Sequence, residues 1–227
     1  MEKPPLSADQ PGLSSPREGG DIFEFSSRRG EPVVLDLNAF IHEGLSGDFD
    51  RFRGALAKVQ KHGEDAVNTI KDEYARLPEH RYFERWLLVN TAAHVVHPSA
   101  VTFFTEIVKR EIPPAKSKDT HHFSTVDEEL VISLAAIGGL ERLSKKCCND
   151  SMVSLREIIA TVKYYSVRQE AVLAYLASSP NKAAAGEELK GILPPELHYM
   201  LKVQRVGGPP PPKIPSAPKR RLKGIQE

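Results

Sequence analysis

His94 and His97 stand three residues apart, a spacing at which two imidazoles on one helical turn can share a metal ion. No acidic residue falls at matching spacing beside them, and Val95 and Val96 between them read as ordinary packing, so no metal site is assigned. His121-His122 lie together in a polar stretch. Cys147 and Cys148 are the only cysteines, and adjacent thiols do not pair readily, so they read as two reduced thiols near a helix end. Asp36 and Asn38, after the apolar run Val33-Val34-Leu35, read as a helix-capping turn. The chain has no Gly-rich phosphate loop and no Gly-x-Ser-x-Gly elbow. Nothing in it calls for a cofactor, and no catalytic residue is assigned.

The basic end of the chain is the remaining place for chemistry. Seven of the 31 Lys/Arg but one of the 30 Asp/Glu lie from Lys202 onward, which leaves the body at net −5 and the tail at +6. Within the tail, Pro209 to Pro212 form four consecutive prolines, which favour an extended polyproline helix. Lys213, Lys219, Arg220, Arg221 and Lys223 follow and could touch a protein partner or a nucleic acid. An acidic body opposes a phosphate-tracking groove, so any nucleic-acid contact is expected through the tail alone.

The elements that must position these groups are mostly helical. Residues 1–20 are rich in Pro, Ser, Gly and charge and are expected to be disordered. Within 21–48, Ile22-Phe23-Glu24-Phe25 and Val33-Val34-Leu35-Asp36-Leu37 are β-prone runs, and Ser27-Arg28-Arg29-Gly30 between them could turn a hairpin that caps the helices. From Phe49 apolar residues recur at helical spacing in successive stripes. Breaks fall at His62-Gly63, Pro78, Pro98, Pro113-Pro114, Ser178-Ser179-Pro180 and Pro194-Pro195. These stripes group as four pairs, about 49–77, 80–112, 126–164 and 167–192, with a polar insertion at 113–124. In the last pair Val167, Ala171 and Tyr175 fall four apart, as do Val172 and Leu176, so Val172 and Leu176 are expected in the core.

Ser166-Val167-Arg168 opening an Ala/Leu-rich helix, and Leu134-Ala135-Ala136-Ile137-Gly138-Gly139 before it, resemble the helix wording of HEAT repeats, the units of armadillo-like α-solenoids. The resemblance is best over 126–192. It implies stacked helix pairs sharing one core, and it implies that Arg168 joins a ladder of polar contacts between successive units. Three enzyme groups on related scaffolds fit less well. A di-iron hydroxylase of this class needs several His-Glu dipeptides, and the chain has one, His42-Glu43, before the repeats. A DNA-glycosylase solenoid needs a basic, aromatic concave surface, whereas Trp86 is the only Trp and the body is acidic. The bilin lyases share the Val-Arg wording, but nothing marks a chromophore pocket. Val33 to Asn38 is similar to the first strand of a PIN-type nuclease, yet the helical remainder lacks the further strands and acids that such a nuclease needs.

The expected fold is therefore all-α: a HEAT-like α-solenoid of about four helix pairs over 49–201, a small N-terminal β-hairpin over 21–48, and disordered ends at 1–20 and 202–227. The expected function is a non-enzymatic adaptor or scaffold that binds a protein partner. The alternatives are a nucleic-acid-associated helical protein using the tail, and an enzyme on a HEAT-like scaffold. No charged start followed by an apolar run opens the sequence, so no secretory signal is expected, and no stretch reaches the ~18 apolar residues of a membrane span. The expected compartment is the cytoplasm.

Overall fold

A computed structural model describes residues 23–25, 28, 30–46, 48–114, 125–146, 148–203 and 205. The expected disordered segment 1–20, His121, His122 and Cys147 lie outside the described residues. So do Lys213, Lys219, Arg220, Arg221 and Lys223.

The described residues form nine α-helices: α1 (Pro32–Ser46), α2 (Phe49–His62), α3 (Glu64–Arg76), α4 (Tyr82–Val95), α5 (Ala100–Lys109), α6 (Thr125–Ser144), α7 (Asn149–Thr161), α8 (Tyr165–Ser178) and α9 (Lys182–Ile192). A 3-10 helix, Pro195–Lys202, follows them. Local chemistry sets several of the boundaries. The Asp48 carboxylate accepts from the Asp50 and Arg51 amides, both at 3.1 Å, and starts α2. Asn181 does the same for α9 through the Ala184 amide. Gly63, at φ +52°, reverses the chain between α2 and α3. Val96 ends α4 in the left-handed region at φ 54°, an uncommon conformation for a β-branched residue.

The N-terminal expectation is corrected. Val33-Val34-Leu35-Asp36-Leu37 is not a strand but the start of α1. Pro32 stands at its first position, where its fixed φ and missing N–H cost nothing. Val33, Val34, Leu37, Phe40 and Ile41 are buried at helical spacing, and this burial outweighs their β propensity. Ile22, Ser26, Ser27 and Arg29 of the expected hairpin lie outside the described residues, and Phe23 to Phe25 carry no strand. Asp36 and Asn38 are likewise inside α1 rather than in a capping turn. Asn38 Oδ1 accepts from the Phe25 amide at 2.9 Å, and Asp36 Oδ2 lies 2.9 Å from His62 Nε2.

Packing follows chain order. α2 with α3, α4 with α5, α6 with α7, and α8 with α9 touch as consecutive pairs. α4 also packs on α6 and α6 on α8, while α5 packs on α7 and α7 on α9. Every substantial helix contact among the described residues joins elements no more than two apart in the chain. α1 lies against α2 and α3 at the N-terminal end, where the hairpin was expected as a cap. One continuous apolar core runs from Phe25 to Met200 through the buried faces of all the helices. Among the described residues, no helix is long and apolar enough to cross a membrane.

Candidate interaction face

α4, α6 and α8 bury one side of each helix and leave the other partly open. On α4 the open stripe is Phe83, Leu87, Asn90 and His94. On α6 it is Val131, Leu134, Ala135, Gly138 and Arg142, and on α8 it is Glu170, Leu173 and Ala177. Each set recurs every three or four residues, so each is one face of its helix. Phe83 and Val131 are 57% and 48% exposed, which is unusual for large apolar side chains, and Phe83 packs on Trp86 with ring centroids 5.9 Å apart. The α4 and α6 stripes lie near one another. The Arg142 charge reaches His94 and adds to the burial that pushes this imidazole down to about 4.

Two polar centres hold the layer. At the first, Arg85 is a fully buried arginine, 2% exposed. Its guanidinium donates to both Glu129 oxygens of α6 at 2.5 and 3.0 Å, to the Tyr74 hydroxyl of α3 at 2.9 Å, and to the Glu79 carbonyl at 3.1 Å. Burial works against the charge, but Glu129 and Tyr74 more than offset it, and the pKa stays above the ordinary arginine value. This residue ties three helices together, and the sequence reading did not single it out.

At the second centre, Glu141 of α6 is buried and meets two cations. Lys145 Nζ donates at 2.6 Å, and Arg205 engages both of its oxygens at 3.0 and 2.8 Å. Arg205 also reaches Glu170 of α8 at 2.5 Å. Burial raises the Glu141 pKa, and the bonds from Arg205 and Lys145 outweigh it, leaving the group below the ordinary carboxylate value. Arg205, counted with the basic tail in the sequence, is thus clamped into the seam between α6 and α8. Leu201 and Val203 precede it and line a cleft of about 510 Å³ against Leu173, Leu176 and Ala177 of α8.

The other singled-out residues are placed as follows. Arg168 Nη2 donates to the Val162 carbonyl just past α7, so it joins α8 to the end of the preceding pair, while its Nε is buried with no hydrogen-bond partner. His94 packs against Phe40 and Phe52, whereas His97 Nδ1 pairs with Ser99 Oγ at 2.8 Å. The two imidazoles therefore have separate surroundings. Cys148 is a free thiol at the start of α7. Val172 is fully buried, but Leu176 is not: it is partly exposed at the cleft, which corrects the expectation that both lie in the core. The i, i+4 spacing placed Leu176 on the right side of α8 but at its edge. No family model matches the chain, and neither a curated protein nor a solved structure matches it.

Proposed function

We propose that the chain is a non-enzymatic adaptor built as a HEAT-like α-solenoid, which receives a protein partner on the open face of α4, α6 and α8. The observation that carries this reading is the alignment of apolar stripes on three alternate helices. Phe83 and Val131 are exposed, and Leu87, Leu134 and Leu173 are partly buried, each on the less buried side of α4, α6 or α8, helices that pack side by side. Contacts confined to neighbouring elements support the solenoid, because stacked pairs bury their faces on each other in this way. Arg85 and Arg168 serve as polar ties between successive units, which supports the role the resemblance implies for Arg168. An apolar surface of this kind, rimmed by polar groups, is the usual mark of a protein-binding site.

The test is a capture experiment from native lysate. The wild-type chain is compared with Leu87→Glu, Val131→Glu and Leu173→Glu, each checked by circular dichroism for an unchanged helical fold. The reading expects nuclease-resistant partners that all three folded variants lose. Partners lost on nuclease treatment would favour nucleic-acid association through the tail. Partners retained by all the variants would remove the face from consideration.

A further inference from the structure

The cleft beside α8 combines an apolar wall with a cation that nothing holds. Leu173, Leu176 and Ala177 present one side of α8, and Leu201 and Val203 line the cleft with them. Lys182 and Gly186, one turn apart on α9, supply a third wall. At about 510 Å³ the cleft has the size of a small-molecule site.

The α8–α9 hairpin gives the cleft two ends. Residues 179–181 join the helices, so Ala177 and Lys182 lie at one end. Further along, the Tyr175 hydroxyl donates to Glu188 at 2.7 Å, as antiparallel neighbours allow. Arg205 marks the other end, where it meets Glu170 in the second turn of α8. Glu170 and Ala177 are about 10 Å apart along that helix.

The cations at the two ends are not equivalent. Arg205 is held by Glu141 and Glu170, and Lys145 also bonds Glu141, so two cations meet two anions there. The Lys182 side chain is exposed and has no ion pair or hydrogen bond among the described residues. No acidic residue stands in the first turn of α9, and the next acids along it, Glu187 and Glu188, are taken by Lys190 and Arg156.

Gly186 keeps the cleft open. It sits inside α9, where glycine weakens a helix relative to alanine. A Cβ there would meet nothing within 4 Å, so no close helix contact requires the glycine. A larger side chain at this position would occupy the cleft.

An apolar trough that is neutral at one end and carries a free cation at the other is the complement of a single-chain amphiphile with an anionic head. A sugar or nucleotide would leave its polar groups against leucines without partners. We propose that the cleft binds a medium-chain fatty acid, its carboxylate at Lys182 and its alkyl chain along Leu173, Leu176, Leu201 and Val203 beside Gly186. The length of the trough selects a medium chain. The site does not depend on the protein-binding reading, with which it shares Leu173.

Calorimetric titration of the isolated full-length chain with decanoate, kept below its micelle concentration, tests the site. One saturable site per chain is expected, with affinity rising about fourfold per methylene from hexanoate to decanoate. Decylamine should bind far more weakly, because it brings a second cation to Lys182. Gly186→Leu should abolish binding while the melting temperature holds or rises. Lys182→Glu should weaken decanoate binding about tenfold, and Lys182→Arg should restore it. Lys182 is exposed, so this pair remains decisive even where Gly186→Leu melts early. The proposal fails on the absence of a saturable site, on equal binding of decylamine and decanoate, or on undiminished binding by folded Gly186→Leu. Capture of the wild type by phosphatidylglycerol vesicles, with no binding of monomeric decanoate, would overturn it in favour of a membrane surface. No protein partner enters these readouts, so they stand or fall apart from the lysate capture.

Discussion

Arg85 and Arg168 are equivalent residues. Each is the fourth residue of a helix that opens with tyrosine, Tyr82 for α4 and Tyr165 for α8, and each guanidinium donates to the carbonyl six residues earlier, Glu79 or Val162. The two helices are the first members of their pairs, with α6 between them. The same side chain at the same position thus ties a helix start to the segment that delivers it. The difference lies in what else is within reach: Arg85 also holds Glu129 and Tyr74, whereas the Arg168 Nε is buried without a partner.

That difference predicts unequal costs. Arg85→Ala leaves Glu129, whose side chain is only 14% exposed, without its cation and should cost about 3 kcal/mol. The double replacement Arg85→Met with Glu129→Leu should recover most of this, because apolar groups of similar size need no partner. Arg168→Ala should cost only about 1 kcal/mol, the net worth of one hydrogen bond. Urea denaturation of the three variants checks the ranking, and an Arg168→Ala loss as large as that of Arg85→Ala would contradict it.

Much of the helical layout was legible because Pro and Gly punctuate it and because the stripes have a clear period. Val167, Ala171, Val172 and Tyr175 are all buried as their spacing implies. The α1 helix is masked in the sequence because Val33-Val34-Leu35-Asp36-Leu37 by itself has the β propensity of a strand. Carried on to Phe40 and Ile41, the same run has a helical period, and Pro32 marks its start. Arg85 follows Glu84 and so lacks the Val-Arg wording of Val167-Arg168; what the two arginines share is a tyrosine three residues before each. Arg205 had no local signal. Its partners lie 64 and 35 residues away, and only the packing of α6 beside α8 brings them together.

Gly138 and Gly139 look alike in sequence but should respond in opposite ways. A Cβ at Gly139 would lie 2.6 Å from the buried Phe104 ring, so this glycine lets α5 approach α6. Gly139→Ala should cost about 1–3 kcal/mol through overpacking. Phe104→Leu should recover part of that loss in the double variant. A Cβ at Gly138 meets nothing within 4 Å, so Gly138→Ala should stabilise α6 by about 0.5–1 kcal/mol through helix propensity alone. Thermal melts of both variants decide the point, and a destabilised Gly138→Ala would mean that the open face is covered there.

Leu176 offers a measure of how far the cleft is filled. A fully buried leucine loses about 2–5 kcal/mol on truncation to alanine. Leu176 is partly exposed beside Leu201 and Val203, so Leu176→Ala should fall below that range. Val172→Ala, at a fully buried site, should cost about 2 kcal/mol for its lost methyl groups. Chemical denaturation compares the two directly. A Leu176→Ala loss well inside the full-burial range would contradict its place at the open edge of the cleft.

His94 gives the fold a pH dependence whose direction is fixed. Burial against Phe40 and Phe52, with a smaller contribution from Arg142, lowers its pKa from 6.5 in the unfolded chain to about 4 in the fold. The unfolded state therefore binds a proton that the folded state refuses. Stability from this residue is fully present above pH 6.5, declines as pH falls through the window down to about 4, and levels off below it. The loss across that window should be up to about 3 kcal/mol. Glu141, held below the ordinary carboxylate value by Arg205 and Lys145, adds its own loss as pH falls below 4.5, from the acid end of the His94 window downward. His94→Leu should flatten the upper part of the profile and leave the acid limb in place. Urea midpoints from pH 7.5 down to pH 3.5 separate the two limbs, and an unchanged slope between pH 6.5 and 4.5 in His94→Leu would show that another group carries the effect.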